Sequence, residues 1–295
     1  MPFLTLCPML ARRYRRFRYR LRSWIEKSVL TSLAVSLCCY IYGTKIEPNW
    51  VEIVPVQLTI SHLDRAFDEF KLVQISDLHL GRFMTEARLQ RIIRLVNQQH
   101  ADAIAITGDI VTKGGRFNAR QVEQLRDLQA SFPIVAVLGN HDHSRKIKPL
   151  KQALERIGID NLDNQVYLFN RNEQQLAIAG LDDPYWGEAD LDGTIAQLPP
   201  EVPAILLVHE PDYIEESAKT HKFALQLSGH SHGGQIKIPF LAPLVLPRGG
   251  TKYYAGLDRV EDTFTYTNRG LGMTNLPIRI GSRPEITVFT LRSPG

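Results

Sequence analysis

The sequence predicts a layered α/β domain that follows an N-terminal membrane anchor. In the first part of the domain, apolar runs of strand length alternate with amphipathic segments of helix length. Strand-like runs dominate the second part, and an uncharged segment precedes the domain. With 295 residues, 44% hydrophobic content and ordinary charge, the chain can build a sizeable core. This composition excludes disordered and fibrous proteins.

Residues 1–27 form a basic tail. They carry seven arginines and one lysine against a single glutamate, a net charge of +7 that leaves −3 for the rest of the chain. Aromatic residues lie among the arginines between Arg12 and Arg22, a composition suited to nucleic-acid phosphates or to anionic lipid headgroups. A nucleic-acid partner is disfavoured, because arginines directly before an apolar span are typical of a membrane orientation signal.

Residues 28–44 form an uncharged, mostly apolar segment. Its length is at the short end of the about 17–25 residues that cross a bilayer as a helix, and Lys27 and Lys45 can lengthen it by snorkelling. Residues 39–43 lack the small-residue pattern of a signal-peptide cleavage site. We therefore expect an uncleaved, single-pass anchor, with a peripheral amphipathic helix as the alternative.

The charge asymmetry around the anchor predicts a cytoplasmic N-terminus and an extracytoplasmic body. All three cysteines, Cys7, Cys38 and Cys39, lie in or before the anchor. The body therefore has no disulfide framework, and cysteine usage does not indicate its redox compartment.

The body begins after a connector or edge strand at residues 45–68, and we expect it to span residues 69–295. Residues 70–75 are strand-like, and an amphipathic helix with Thr85 as its N-cap follows them. Further buried strands are predicted at residues 103–106 and 134–138, with a second helix between them. Such alternation implies right-handed crossovers and parallel neighbouring strands.

The later part of the body is richer in strands. Residues 166–169 and 175–179 resemble a hairpin whose turn is at residues 170–172. Four more strands are predicted at residues 204–208, 223–227, 263–267 and 286–290. Two sheets flanked by helices would hold all these elements in one domain.

Five short polar clusters stand at the ends of apolar runs. They are Asp77-Leu78-His79, Gly108-Asp109, Gly139-Asn140-His141-Asp142, His209-Glu210 and Gly229-His230-Ser231-His232. Six of the nine histidines lie in or beside these clusters. Because loops at strand ends of an α/β sheet converge on ligands, we expect the clusters to meet.

Together the clusters supply enough oxygen and imidazole ligands for two metal ions side by side. Asp77 and His79 are two residues apart, as are His230 and His232, and in extended backbone such residues point to the same side. The two oxygens of Asp109 can bridge two cations. Mixed nitrogen and oxygen ligation suits manganese, iron, zinc or nickel and argues against calcium.

A pair of cations predicts a reaction at phosphorus. Two ions about 3.5–4 Å apart lower the pKa of a bridging water and stabilise the attacking and leaving oxygens of an in-line displacement. Phosphate-ester hydrolysis also needs a proton or hydrogen-bond donor. His141, next to the neutral amide ligand Asn140, is the candidate for this catalytic role, and Asp142 could orient it.

Taken singly, some of these residues have a simpler explanation. A histidine or an Asp-Gly pair at a strand end is more often a cap or turn residue, which applies to Gly108-Asp109 and to His209. All five clusters in order, each after an apolar run, outweigh that interpretation.

In their order and spacing the five clusters resemble the calcineurin-type metallophosphoesterase signature, over about residue 70 to the C-terminus. The resemblance implies a four-layer α-β-β-α sandwich. It implies one metal ion held by Asp77, His79, Asp109 and His232, and a second held by Asp109, Asn140, His209 and His230. We expect two divalent ions, with manganese first and iron, zinc, nickel or magnesium as alternatives.

Several later segments are similar to membrane-linked bacterial phosphodiesterases, namely residues 229–235, 252–256, 269–272 and 283–285. Some relatives of that branch hydrolyse the pyrophosphate of UDP-2,3-diacylglucosamine in lipid A synthesis. Glu210 departs from the family pattern, because relatives often carry a neutral residue after the histidine that corresponds to His209.

An apolar stretch broken by prolines, residues 236–247, begins next to the predicted metal centre. One hypothesis is that this stretch, with Trp186, forms an apolar wall of the active site or rests on the bilayer. The alternative is that it packs against its own domain. We expect a lipid-linked or cell-envelope phosphodiester or pyrophosphate as substrate and membrane lipids as partners. A UDP-linked lipid fits a cytoplasmic body and a phospholipid fits an extracytoplasmic one, so both sides stay open.

Two other functions remain alternatives. The first is a phosphoesterase for nucleotides or nucleic acids that uses the arginine tail for affinity. The second is a non-catalytic metal-binding module, which loss of a ligand or of His141 would favour, and the sequence retains all of them. The sequence does not indicate the oligomeric state.

Overall fold

The structure, a computed structural model, describes residues 8–114, 118–143, 147–238, 241, 243 and 245–294. The start of the basic tail with Cys7, and residues 239, 240, 242 and 244 of the apolar stretch, lie outside this description.

Twelve described strands form two six-stranded sheets. The strands are β1 (Glu52–Thr59), β2 (Phe70–Ile75), β3 (Ala103–Thr107), β4 (Ile134–Val137), β5 (Ile159–Asn161), β6 (Gln165–Arg171), β7 (Gln174–Gly180), β8 (Ala204–Leu207), β9 (Leu225–Ser228), β10 (Gly256–Val260), β11 (Thr263–Thr267) and β12 (Glu285–Arg292). The strand order is β1-β12-β2-β3-β4-β5 in the first sheet and β10-β11-β9-β8-β7-β6 in the second.

The predicted parallel arrangement is present in both sheets. Strands β2 to β5 are parallel neighbours, with Leu72 opposite Ala103 and Ile104 opposite Ile134. In the second sheet β7, β8, β9 and β11 are parallel, and β6 and β7 form the predicted hairpin. Strand β12 runs antiparallel to β2, and β1 pairs with β12 as the edge strand. Part of the segment expected as a connector or edge strand is therefore in the sheet.

Helices cover the outer faces of both sheets. They are α2 (Glu86–Asn97), α3 (Ala119–Glu123) and α4 (Ile147–Arg156) against the first sheet, and α5 (Leu191–Ile195) and α6 (Ile214–Ser217) beside the second. One cluster of buried side chains, including Leu72, Val135, Ile178 and Leu225, fills the space between the sheets. These layers confirm the predicted α-β-β-α sandwich.

The local sequence explains helix α2 and limits α3. In α2 the side chain of Thr85 accepts a hydrogen bond from the Arg88 amide at 3.3 Å, so the predicted N-cap is present. The helix expected between β3 and β4 is shorter than its apolar pattern suggested. After α3 a single 3₁₀ turn follows, and Leu128 is already extended with ψ 140°, because the chain must enter β4.

An N-terminal helix, α1 (Pro8–Ile41), precedes the body and continues in helical turns to Asn49. Its side chains are exposed over most of its length, from Arg12 onward. The stretch Arg12–Asn49 is long and apolar enough to cross a membrane by length and composition. Only at its end does this helix become buried, at Gly43, Glu47 and Pro48.

Candidate metal centre

All five polar clusters follow the carboxyl ends of parallel strands. Three lie after β2, β3 and β4 of the first sheet, and two lie after β8 and β9 of the second. The structure brings together the seven residues that the sequence predicts as ligands, which are Asp77, His79, Asp109, Asn140, His209, His230 and His232. The site therefore forms where the ends of both sheets meet.

The first group of candidate ligands contains Asp77, His79 and His232. The Nε2 atoms of His79 and His232 are 3.0 Å apart. His232 Nε2 lies 3.3 Å from Asp77 Oδ1, and His79 Nε2 lies 3.8 Å from the same oxygen. All three side chains are buried, so these atoms surround a small space that one cation could fill.

The second group contains Asp109, His209, His230 and Asn140. His209 Nε2 lies 3.3 Å from Asp109 Oδ2, and His230 Nδ1 lies 3.1 Å from Asn140 Oδ1. Asp109 Oδ2 is also 3.6 Å from His79 Nε2 of the first group. Asp109 therefore stands between the two groups, where a bridging carboxylate must be.

Backbone carbonyl groups orient two of the histidines. His209 Nδ1 donates to the Thr107 carbonyl at 2.7 Å, and His230 Nε2 donates to the Arg248 carbonyl at 3.0 Å. These protons leave the lone pair of the other nitrogen directed at the centre. Among the described residues, the buried His209 Nε2 has no hydrogen-bond partner. A cation is the partner that such an orphaned nitrogen fits.

The electrostatics of the groups suit metal ligation. Burial lowers the pKa of His79 to about 3 and that of His232 well below its ordinary value, so both imidazoles are neutral. Although burial opposes its charge, His209 holds the pKa of Asp109 well below its ordinary range. Despite burial, Asp109 raises the pKa of His209, which shows that the centre attracts positive charge. A metal ion would replace that proton.

Five of the seven candidates have left-handed backbone. The φ angles of Asp77, His79, Asp109, His230 and His232 lie between 46° and 71°. The expectation of extended backbone at Asp77 and His79, and at His230 and His232, is therefore wrong. His230 and His232 also belong to different ligand groups. Non-glycine residues rarely adopt this conformation, which clusters at functional sites.

The match to known proteins agrees with this geometry. The model of the family described as calcineurin-like phosphoesterase matches residues 70–234, which is more than half of the chain. The chain belongs to the calcineurin-like phosphoesterase family. With its clustered histidine and aspartate side chains, this phosphoesterase is a metal-dependent phosphoester hydrolase, and its donor set fits a dinuclear divalent metal site.

Relatives of this phosphoesterase include proteins named for phosphodiester cleavage and for membrane spans. The uncharacterized metallophosphoesterase YkuE of Bacillus subtilis is 38% identical over 260 residues, which cover 86% of this chain and 90% of that protein. Phosphodiesterase YaeI of Escherichia coli is 29% identical, covering 83% and 90%. A transmembrane protein with metallophosphoesterase domain from Danio rerio is 29% identical, covering 90% of this chain and 63% of its own length.

His141 and Asp142, the predicted catalytic residues, occupy the loop after β4. The His141 amide donates to Asp109 Oδ1 at 2.8 Å, and His141 Nδ1 accepts from the Lys113 amide at 3.1 Å. The two oxygens of Asp142 accept from the amides of Ile110, Val111 and Gly139. These bonds support a role of Asp142 in holding the two loops together, and its orientation of His141 stays a prediction.

Glu210, which the sequence analysis set apart from the resemblance, is fully buried directly after His209. Burial raises the pKa of this carboxyl group well above its ordinary value, against the effect of His209, and the Asp183 carboxylate raises it further. The neutral form is therefore favoured.

A cavity of about 440 Å³ opens over the metal centre. Asp109, Asn140, His141, His230 and His232 lie among its lining residues. Further out the lining is largely apolar and includes Ile236, Val245, Pro247 and Leu276. Part of the apolar stretch therefore does border the site. Trp186 is not in this lining, and it is exposed with Lys113 Nζ 4.4 Å from its ring centre.

The sequence analysis missed Arg279, which lies behind the first ligand group. Its guanidinium is fully buried, lies 3.2 Å from His232 Nδ1, and donates to the Gly272 carbonyl at 2.8 Å and the Ser282 carbonyl at 3.0 Å. The Gly272 amide in turn donates to the Asp77 carbonyl at 2.6 Å. Arg279 thus supports the loop that backs two candidate ligands. In the sequence, the signal that could have indicated this residue is an arginine between two apolar neighbours, Ile278 and Ile280.

Proposed function

We propose that this protein is a dinuclear-metal phosphodiesterase that cleaves a phosphodiester or pyrophosphate bond of a lipid-linked or cell-envelope substrate. The observation that carries the proposal is the convergence of two ligand groups on Asp109. The relative from Escherichia coli that is named a phosphodiesterase supports diester chemistry.

In this proposal, one ion binds Asp77, His79, Asp109 and His232, and the other binds Asp109, Asn140, His209 and His230. Manganese is the first choice for both positions, because the mixed donor set accepts several divalent ions and availability decides. Such a pair supplies an activated bridging water and stabilises charge on the phosphoryl oxygens.

His141 supplies a hydrogen-bond donor for the leaving group. Because its Nδ1 accepts from the Lys113 amide, the proton of the neutral ring lies on Nε2. The amide of His141 donates to Asp109 Oδ1 and holds the backbone of this loop at the metal centre, while the Lys113 amide holds the ring. A donor held in this way can offer its Nε2–H as a hydrogen bond to the leaving oxygen and stabilise the negative charge that develops there.

The lining of the cavity supports a substrate with an apolar part. Ile236, Val245 and Leu276 form its outer wall, and Val245 and Leu276 are exposed. A phospholipid or UDP-2,3-diacylglucosamine has a phosphoryl group next to acyl chains and fits such a wall. Helix α1 as a single-pass anchor would hold the enzyme at the membrane that contains these lipids, with an extracytoplasmic body according to the charges before the span.

The test uses purified full-length protein with manganese and three substrates: bis-p-nitrophenyl phosphate, p-nitrophenyl phosphate and UDP-2,3-diacylglucosamine. We expect metal-dependent cleavage of the diester or the pyrophosphate. In the Asn140→Ala variant, kcat/KM should fall by more than about 100-fold, because loss of a group that only supports a metal ligand already costs up to about 100-fold. Asn170→Ala, the same change at an exposed position of strand β6, is the control.

Other outcomes would assign other functions. Activity confined to the monoester would refute the proposed substrate class. Stoichiometric metal binding without hydrolysis of any substrate would favour the non-catalytic module. Salt-sensitive DNA binding that disappears on removal of residues 1–27 would favour the nucleic-acid phosphoesterase.

A further inference from the structure

Helix α1 joins the catalytic body without a flexible linker. The turns that follow it are helical, at Tyr42–Ile46 and Glu47–Asn49. Glu47 is 1% exposed, and its carboxylate accepts from the amides of Gly281 at 3.0 Å and Ser282 at 2.6 Å. A buried carboxylate held by two amides fixes the end of the helix against the body.

Gly43 makes the second contact of this junction. Its carbonyl accepts from the Arg279 amide at 2.9 Å. A Cβ at Gly43 would lie 2.8 Å from Cγ1 of Ile278 and 2.9 Å from Cγ1 of Ile280, so only glycine lets the helix lie this close. We call the contacts of Gly43 and Glu47 with residues 278–282 the anchor clamp.

The loop that receives the clamp also forms a wall of the catalytic cavity. Thr274, Asn275 and Leu276 line the cavity just before the clamp residues begin. Within the clamp, the side chain of Arg279 reaches His232 while its backbone amide binds Gly43. The anchor, the cavity wall and the metal centre therefore share one short segment.

The length of α1 sets the level of this segment relative to the membrane. The apolar segment ends at Thr44. With a rise of about 1.5 Å per residue, Glu47 lies about 5 Å further along the axis, and Trp50 follows directly after the last helical turn. The headgroup layer is about 5–8 Å thick on each side of the hydrocarbon core. In a bilayer that α1 spans, the clamp therefore lies at the level of the headgroup layer.

Exposed apolar side chains lie next to the clamp and in the lining of the cavity. Ile46 and Trp50 are 49% and 53% exposed, and Val245 and Leu276 at the cavity mouth are 58% exposed or more. The Arg283 guanidinium lies 4.2 Å from the ring centre of Trp50. Tryptophan beside a cationic side chain is typical of the membrane–water interface.

We propose that Ile46, Trp50, Val245 and Leu276 form an interface surface that rests in the headgroup layer of the bilayer that α1 spans. The catalytic cavity then opens onto that bilayer and takes phosphodiesters whose hydrocarbon chains stay in it. The chemistry in this statement rests on the proposed function, whereas the contact with lipid rests on the anchor clamp and the exposed side chains. The bilayer is the occupant because the surface is continuous with the apolar helix.

The first test measures lipid contact at Trp50 and requires no activity. The chain has three tryptophans, so Trp24→Phe with Trp186→Phe leaves Trp50 as the reporter. In vesicles of phosphatidylcholine with brominated acyl chains we expect quenching of its fluorescence. The control adds Trp50→Phe and Lys222→Trp, which places the reporter before β9 at the opposite end of the sheets and should not be quenched. Trp50 quenched by aqueous iodide and not by brominated lipid would overturn the proposal.

The second test separates the clamp from the chemistry. Gly43→Leu should force the helix away from Ile278 and Ile280. In the same vesicles we expect hydrolysis of a fluorescent phospholipid diester to fall by about tenfold, because the cavity loses the high effective concentration of the surface. The readout is the ratio of this rate to that with bis-p-nitrophenyl phosphate, because a shift of Arg279 behind His232 would lower both rates together. Ala34→Leu, on the exposed part of α1, is the matched control.

The outcomes distinguish the two proposals. Manganese-dependent cleavage of the soluble diester with equal lipid cleavage in Gly43→Leu and Ala34→Leu would refute the interface surface and leave the phosphodiesterase intact. A wild-type protein that cleaves neither substrate, with Trp50 quenched by lipid, would refute the phosphodiesterase and support the surface. If Gly43→Leu loses both activities, the clamp supports the fold, and the quenching result decides.

Discussion

Replacing Gly139 by alanine should disable the metal centre while leaving the fold almost unchanged. Gly139 stands between the β4 strand and Asn140, and a Cβ there would lie 2.5 Å from Asp109 Oδ1 and 2.7 Å from His209 Nε2. Ordinary contacts of a Cβ begin at 3.4 Å. The new methyl group must therefore move Asp109, His209 or its own loop by about 1 Å, as the difference between these contacts requires.

The size of the effect follows from this displacement. A misplacement of about 1 Å in a catalytic constellation costs about 100-fold in rate, or about 2.7 kcal/mol of transition-state stabilisation. Because Asp109 stands between both ligand groups, we expect the affinity for both metal ions to fall as well. The measurements are kcat/KM with bis-p-nitrophenyl phosphate and manganese binding by calorimetry.

Gly158→Ala is the matched control. Gly158 has φ +76°, and nothing lies within 4 Å of its Cβ position. That variant should lose about 1 kcal/mol of unfolding free energy through backbone strain and keep its activity. If kcat/KM of Gly139→Ala stays within about threefold of the wild-type value, instead of falling by about 100-fold, the ligands are not where the structure has them.

Three further predictions concern metal, core and pH. Chelation by EDTA should abolish diester hydrolysis and lower the melting temperature, and manganese should restore both, because the native state alone presents the assembled ligands. Leu207→Ala, which shortens a side chain between the sheets, should lower the free energy of unfolding by about 2–5 kcal/mol, measured by urea denaturation. A smaller loss would mean that neighbouring side chains move into the space that the leucine leaves. Although burial opposes its charge, the His143 contact at 2.7 Å helps hold the pKa of Asp182 to about 2, below the ordinary 3.8. This stabilisation is present above about pH 4 and lost as the pH falls toward 2, so acid unfolding should be steeper in wild type than in Asp182→Asn, and equal profiles would contradict it.

Local patterns in the sequence predicted the elements that local physics determines. The apolar run of β3 and the N-cap of α2 were recognisable because burial and capping act within a few residues. Helix α4 was missed, although Leu150, Ala153 and Leu154 form its buried face. The polar strand β10 was missed too, because only its pairing with β11 makes it a strand.

The candidate site was predictable in its members and less so in its geometry. The clusters could be recognised because each follows an apolar run and contains residues that a strand end does not require. The left-handed backbone at Asp77 and His230 could not, because packing against distant loops determines it. The same holds for Glu47, whose burial depends on amides more than 230 positions away in sequence.

Packing between the sheets determines the spacing of the ligands. Each ligand group takes members from both sheets: His232 follows β9 but joins Asp77 and His79 after β2, and His209 follows β8 but joins Asp109 after β3. Hydrogen bonds also cross between the sheets near the site, from Gln74 Nε2 to the Ser228 carbonyl at 2.9 Å and from the His230 amide to Asp77 Oδ2 at 3.0 Å.

A shift of one sheet against the other would therefore distort both ligand groups together. Side chains that fill the space between the sheets, such as Phe289, are fully buried far from any candidate ligand in sequence. Truncating one of them should reduce metal affinity and stability together, whereas an equal destabilisation behind the second sheet, at Leu206, should reduce stability more than affinity. Comparing Phe289→Ala with Leu206→Ala at equal loss of unfolding free energy tests this. Equal metal affinities in the two variants would mean that the loops hold the ligands independently of the sheets.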